Sequence, residues 1–203
     1  MTNADHNSVA HHGHHHDFKG IERWIAALDN PEREKKQHPA KVIENLALQN
    51  NDVVADIGAG TGYFAIRIAE MYPQVRVIAA DVEHEMVDYL QTQSKSRKLL
   101  NLEPVLIDSS KPQLPVKANL VLFVDTLHHM DNRIAYLKCL KESMAAGSRI
   151  AVIDYKKEAV EGPPEAFRIS IPELVDELKA VGYTLESDLR FLTNQYFLIF
   201  RQA

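Results

Sequence analysis

Three glycines, Gly58, Gly60 and Gly62, stand in the stretch "ADIGAGTGYFAIRIAEMY", between an apolar run and a run of helical period. Glycine allows φ > 0 and lets a ligand touch the backbone, so a glycine turn between a strand and a helix is suited to holding one. A dinucleotide fingerprint reads G-x-G-x-x-G/A, with a small residue where the helix packs on the strand. Here that third position is Tyr63, which fits badly. Asp56 stands just before the turn, where it would repel a pyrophosphate and welcome a cationic group. Asp81 follows about 20 residues beyond the turn, where an acid pairs with ribose hydroxyls. A ligand with a ribose, positive charge and no phosphates satisfies both acids.

The elements that must position these residues alternate along the chain. "VVADIG" (53–58), "RVIAAD" (76–81), "PVLID" (104–108), "NLVLFVD" (119–125) and "RIAVID" (149–154) read as strands, and each carries an aspartate at or near its end. These are Asp56, Asp81, Asp108, Asp125 and Asp154. Aspartate also caps the helix that follows a strand, which accounts for any one of them but less well for a whole edge of acids. Between the strands, "YFAIRIAEMY", "EHEMVDYLQTQSK" and "NRIAYLKCLKESM" have helical period, the last with Ile134, Leu137, Leu140 and Met144 on its buried side. "SIPELVDELKAVG" opens with Ser170 and Glu173 in capping-box spacing and stops at Gly182. "YTLESDL" and "QYFLIFR" have no helix between them and predict a hairpin. The pattern predicts an α/β fold, a Rossmann-like doubly wound sheet, mostly parallel, with an antiparallel C-terminal strand and helices on both faces. Ligands of such sheets bind beyond the carboxyl ends of the strands.

S-adenosylmethionine carries an ammonium, a sulfonium, a ribose and an adenine, and it answers the requirement set by Asp56 and Asp81. The run "VVADIGAGTGYFAIRIAE" followed by "VIAADVEHEM" resembles the class I S-adenosylmethionine-dependent methyltransferases. The D-x-G-x-G-x-G form and the acid at the second strand end stand in register with that family from about Asn51 to the C-terminus. The segments "ERWIAALDNPEREKKQHPAKVI" and "NQYFLIF" also look like a group of small bacterial members. The resemblance implies that Gly58, Ala59 and Gly60, in a turn completed by Gly62, line the methionine portion. It implies that Asp56 acts on the ammonium through backbone or water. Asp81 would then hold the ribose hydroxyls, and Val82 and Met86 would flank the adenine. Asp108 would accept from the adenine amino group with Ser109 beside it, and Asp125 would lie near the methyl and the acceptor.

On the acceptor side, "VDTLHHMDN" places His128 and His129 after the fourth strand. A histidine there is a candidate general base, since its ordinary pKa is near neutrality. A loop histidine bonded to backbone is the alternative. Methyl transfer itself asks for little acid–base chemistry, because alignment and exclusion of water suffice. The Pro-Pro-aromatic motif of enzymes that methylate base amino groups is replaced by "DTLH". With a formal charge of -5, this disfavours nucleic acid and favours a small-molecule acceptor. Two other functions share the logic of the turn. One is an S-adenosylmethionine-binding protein without catalysis. The other is an NAD(P)-dependent oxidoreductase, against which Asp56 and Tyr63 both speak.

Residues 1–16 read as a disordered His-rich tail, residues 17–50 as a helical cap or lid, and residues 51–203 as the cofactor-binding domain. In the lid, Asp29 or Asn30 caps a helix that starts at Pro31, Pro39 starts another with Val42, Ile43 and Leu46 on its face, and Phe18, Trp24, Tyr63 and Phe64 are candidates for an apolar wall. The tract His11, His12, His14, His15 and His16 is read as an adventitious binder of metal at most, so no metal site is expected. Cys139, the single cysteine, reads as a small buried hydrophobe. No run has the length of a membrane span, and a cytoplasmic location follows by default.

Overall fold

The computed structural model describes residues 30–203 together with Ile25, Ala26 and Leu28. The His-rich tract, Phe18, Trp24 and Asp29 lie outside the described residues. Seven strands form one sheet in the order β3-β2-β1-β4-β5-β7-β6. They are β1 (Val53–Ile57), β2 (Arg76–Asp81), β3 (Leu102–Leu106), β4 (Ala118–Val124), β5 (Met144–Tyr155), β6 (Tyr183–Leu189) and β7 (Gln195–Gln202). The first five are parallel, and β7 inserts antiparallel between β5 and β6. This is the doubly wound sheet with a reversed strand that the pattern predicts.

The described helices are α1 (Glu32–Gln37), α2 (Pro39–Asn45), α3 (Tyr63–Met71), α4 (His84–Ser96), α5 (Arg133–Lys141) and α6 (Ile171–Ala180). Strand alternation sends Val54 to one face of the sheet and Ala55 and Ile57 to the other. Val42, Ile43 and Leu46 of α2, Phe64 and Ile68 of α3 and Leu90 of α4 pack on the first face. Leu137 and Leu140 of α5 and Leu174 and Leu178 of α6 pack on the second. Helix starts follow local chemistry. Asn30 Oδ1 accepts from the Glu32 N–H at 2.9 Å, Asn132 Oδ1 from that of Ala135 at 3.2 Å and Ser170 Oγ from that of Glu173 at 3.3 Å.

Several expectations need correction. β3 lies two residues earlier than its apolar run suggests, so Asp108 falls beyond the strand rather than at its end. β5 is longer than expected and takes in Met144, which is buried as a strand residue rather than on a helix. On α5, Ile134 is exposed and Tyr136 is buried in its stead, since the helix starts at Arg133 and its inner face runs through Tyr136, Leu137 and Leu140. Cys139 is only half-buried, with its Sγ 3.7 Å from the Pro112 carbonyl oxygen.

Candidate functional site

The glycine turn links β1 to α3. Gly58, Gly60 and Gly62 have φ of 73°, 55° and 81°, a left-handed series that L side chains adopt only with strain. The space is as restrictive as the torsion. A Cβ on Gly58 would stand 2.5 Å from Thr126 Cγ2, and one on Gly60 would stand 3.1 Å from Leu28 Cδ1. The N–H groups of Gly58 and Ala59 both donate to the Ala80 carbonyl, at 2.8 and 3.1 Å, so the turn is fastened to the end of β2.

Asp81 completes that fastening. Its Oδ2 accepts from the Gly60 N–H at 2.8 Å and its Oδ1 from the Glu83 N–H at 3.1 Å. Burial raises its pKa and these backbone bonds oppose the rise. Asp56 lies inside β1, with Oδ2 accepting from the Ala65 N–H at 3.2 Å. Burial pushes its carboxyl up to about 7, while the Ala65 bond and the Arg33 guanidinium pull it down. Two buried acids that retain further acceptor capacity therefore flank one rigid, side-chain-free turn. Such a cradle fits a ligand with hydroxyls and a cationic end, while the space beside the glycines is taken by Thr126, Leu28, Leu90 and Ile66.

The residues expected around an adenine divide. Val82 is 43% exposed directly after Asp81. Met86 is 1% exposed, so it is core of α4 as much as wall. Asp108 is exposed, and its Oδ1 already accepts from the Ser110 N–H, the Ser110 hydroxyl and the Lys111 N–H at 2.7 to 2.8 Å. Those bonds hold its carboxyl below the usual range. One oxygen of Asp108 thus serves the local turn, and Ser109 is exposed beside it.

The acceptor side holds partners that the sequence does not announce. Asp125, one residue past β4, adopts φ 54°. Its Oδ2 accepts from Gln37 Nε2 at 2.9 Å and its Oδ1 from Gln195 Nε2 at 2.5 Å. Gln37 Nε2 also donates to Gln195 Oε1 at 3.2 Å, closing a ring of three side chains from α1, the β4 end and β7. Burial pushes the Asp125 carboxyl up to about 6, with Asp154 adding and Arg33, Gln195 and His128 opposing. Arg33 joins this ring through Nε, which donates to Gln37 Oε1 at 2.6 Å.

His128 and His129 sit on a single 3-10 turn, Leu127–His129. The structure separates their roles. His129 is exposed, whereas the His128 side chain is 5% exposed and its Nδ1 is 2.8 Å from Asp154 Oδ1. Asp154 is wholly buried near the end of β5, and its Oδ1 also accepts from the Tyr155 N–H. A carboxylate oxygen on Nδ1 calls for the proton there, which leaves Nε2 of neutral His128 as the basic atom. Asp154 Oδ2 and the hydroxyl of Tyr196, its partner across the β5–β7 ladder, are buried and have no hydrogen-bond partner among the described residues.

The residues missed by sequence reasoning are Arg33, Gln37 and Gln195, together with Asp154 as the partner of His128. The signal available for them is weak. Gln195 is a lone amide opening the apolar run "QYFLIF", and Gln37 precedes His-Pro. Among the described residues no three His, Cys, Asp or Glu side chains converge in a way that could hold a metal ion. No helix of the described residues is long and apolar enough to cross a membrane.

The doubly wound sheet, the glycine turn and the two buried acids are on one strand edge, and comparison with known proteins shows what the chain is similar to. The sequence profile of the methyltransferase domain family matches residues 54–147, from β1 into β5. (S)-Coclaurine N-methyltransferase from Thalictrum flavum subsp. glaucum is 28% identical over 102 residues, 50% of this chain and 28% of that enzyme. The chain thus spans less than a third of the length of the curated relatives it matches. Among solved structures, a SAM dependent methyltransferase from Aquifex aeolicus superposes with a TM-score of 0.82 at 24% identity, covering 91% of this chain and 99% of that one. Coclaurine N-methyltransferase bound to N-methylheliamine and SAH gives 0.63 at 18% identity, with coverage of 75% and 50%. Residues 54–147 are thus similar to the methyltransferase domain family, and the solved structures share the fold of the chain.

Proposed function

We propose that this protein transfers the methyl group of S-adenosylmethionine to a nucleophilic atom of a small molecule, bound over the ends of β4 and β5. The observation that carries the reading is the unit formed by Asp81 and the glycine turn, in which one carboxylate oxygen fixes the Gly60 N–H at 2.8 Å. Gly58, Ala59 and Gly60 line the methionine portion, with Gly62 turning the chain into α3. Asp56 attracts the ammonium, Asp81 accepts from the ribose hydroxyls, Val82 covers the adenine with Met86 behind it, and Asp108 and Ser109 bound its far edge.

The bound sulfonium supplies an already activated methyl group. The residues of the chain have to align an acceptor with it and keep water out. Asp125, braced by Gln37 and Gln195, forms the wall nearest the acceptor. His128, held by Asp154, offers Nε2 to a proton released from the nucleophile, and exposed His129 lines the approach to it. Leu28 reaches Gly60, and Gln37 reaches Asp125. These contacts support residues 17–50 as a cap over the cofactor domain at 51–203. The net charge of -5 supports a small-molecule acceptor over a phosphate backbone.

Calorimetric titration with S-adenosylmethionine, S-adenosylhomocysteine and NADH, using wild type and Asp81→Ala, tests the reading. Both adenosyl ligands should bind the wild type, and the variant should lose them. Binding of NADH in their place would overturn it. A screen with labelled methyl then identifies the acceptor. Tight adenosyl binding with no transfer to any component of a broad extract would identify a binding protein instead.

A further inference from the structure

Asp154 and Tyr196 stand directly opposite each other across the antiparallel β5–β7 ladder. Residues so paired leave the sheet on the same face, with Cβ atoms about 4.5–5.5 Å apart. That face is the one packed by α5 and α6. Asp154 is 0% exposed and Tyr196 2%. Asp154 Oδ1 is fully used, since it lies 2.8 Å from His128 Nδ1 and accepts from the Tyr155 N–H at 2.8 Å. Asp154 Oδ2 and the Tyr196 hydroxyl have no hydrogen-bond partner among the described residues.

A buried carboxylate oxygen without a donor and a buried hydroxyl without an acceptor each carry a desolvation cost, and such groups are met by protein or by ordered water. These two are complementary, because one accepts and the other donates. No direct bond joins them, so the bridge is a molecule that both accepts and donates. Arg133 of α5, whose charge bears on the Tyr196 hydroxyl, is committed to Glu173 and Glu177 of α6, each at 2.7 Å. Burial and the Asp154 charge push the Tyr196 phenol above its ordinary range, which keeps the hydroxyl a donor.

We propose that Tyr196 is a positioning residue for His128, acting through one buried water and Asp154. The water accepts from the Tyr196 hydroxyl and donates to Asp154 Oδ2. A carboxylate tied at one oxygen only can turn about its Cβ–Cγ bond, whereas one tied at both has a single orientation. Oδ1 is thereby aligned with the His128 Nδ1 proton, and a bond of this kind depends on alignment. The ring of His128 is fixed, and its Nε2 is kept clear of the proton. The inference rests on the reading of His128 as the group that takes a proton from the nucleophile.

Nuclear magnetic resonance of the isotope-labelled full chain reads the His128 Nδ1 proton, and loss of the signal in His128→Gln assigns it. In wild type this proton should be present and slow to exchange with water, and its absence would overturn the proposal at once. In Tyr196→Phe the resonance should move and its exchange should quicken by about tenfold or more, while S-adenosylhomocysteine affinity stays within about twofold. The melting temperature of this variant should fall by about 2–4 °C. A hydroxyl that is merely unpaired predicts melting at or above wild type with the resonance unmoved, and that result would overturn the proposal. A lower melting temperature with an unmoved resonance would make Tyr196 purely structural and overturn it as well. On an Asp154→Asn background, Tyr196→Phe should move the resonance little, and an undiminished change would show a route that bypasses Asp154. A crystal structure of wild type should place one water within bonding distance of both atoms, and an unbridged pair would count against the proposal. Methyl transfer by His128→Gln at the wild-type rate, read with labelled methyl, would overturn the reading of His128 as a base and leave the resonance results standing.

Discussion

The two halves of the strand edge are built differently. The half proposed for the cofactor, at the ends of β1 and β2, comes from short stretches of chain, because Asp56, the three glycines and Asp81 lie within 26 residues of one another. Its bonds run from backbone N–H groups to two carboxylates. The half proposed for the acceptor is assembled from side chains far apart in sequence. Gln37 meets Asp125 across 88 residues and Gln195 across 158, and Gln195 meets Asp125 across 70. Backbone donors pinned by a sheet ladder hold a shape common to one ligand. Side-chain amides and a histidine can be exchanged without disturbing the ladder.

That contrast predicts a graded series of effects. The largest belongs to Gly58→Ala, which combines a φ of 73° with a Cβ 2.5 Å from Thr126 Cγ2. It should cost about 2–4 kcal/mol in urea unfolding and abolish S-adenosylhomocysteine binding. Wild-type stability in this variant would contradict the close approach of the turn to the β4 edge. Next, Asp81→Asn should weaken S-adenosylhomocysteine by about 10- to 100-fold in calorimetry, since it removes a charged acceptor. A variant that binds like wild type would shift recognition away from β2.

The pH dependence comes third. The Asp56 carboxyl is raised to about 7 by burial, and the ligand ammonium favours its ionised form. Affinity for S-adenosylhomocysteine should therefore rise from pH 6 to pH 8 in wild type, and it should stay flat in Asp56→Asn. The stability of the free protein moves the other way. The folded pKa exceeds the ordinary value, so the native state holds the proton more tightly than the unfolded chain does. This contribution favours folding at low pH and is lost as pH rises from about 4 through about 7. Asp125, raised to about 6, adds a change of the same sign. Urea titrations at pH 5 and pH 8 on wild type and Asp56→Asn would measure it.

The smallest effect on the cofactor half should come from Gln195→Leu. It takes a donor from a buried carboxylate and should cost about 1–3 kcal/mol in stability. S-adenosylhomocysteine affinity should stay within about twofold, because Gln195 bonds to Asp125 and Gln37 and to neither Asp81 nor Asp56. A large loss of affinity would show that the two halves are one unit.

Legibility followed the same division. The strand–glycine–helix unit and the acid ending β2 were readable because each depends on local torsion and short spacing. β3 was misplaced because "EPVLID" has no sharp stop, and its register is chosen by pairing with β2. Asp108 then falls in a turn of its own rather than on a strand end. Ile134 and Tyr136 exchanged places because the inner face of a short helix depends on the sheet below it. Arg33 and Gln37 were invisible because nothing near them in sequence shows that α1 returns to the ends of β1 and β4.

The sequence by itself determined the alternating architecture, the glycine turn, the acid in register with it and the reversed last strand, since periodicity and torsional preference act over a few residues. Only the tertiary structure decided that Gln37, Asp125 and Gln195 form one ring, that His128 rests on Asp154 while His129 faces solvent, and that Arg33 stands over Tyr63. The physical reason is that buried polar groups must find partners, and which partners they find depends on which distant segments the sheet brings together.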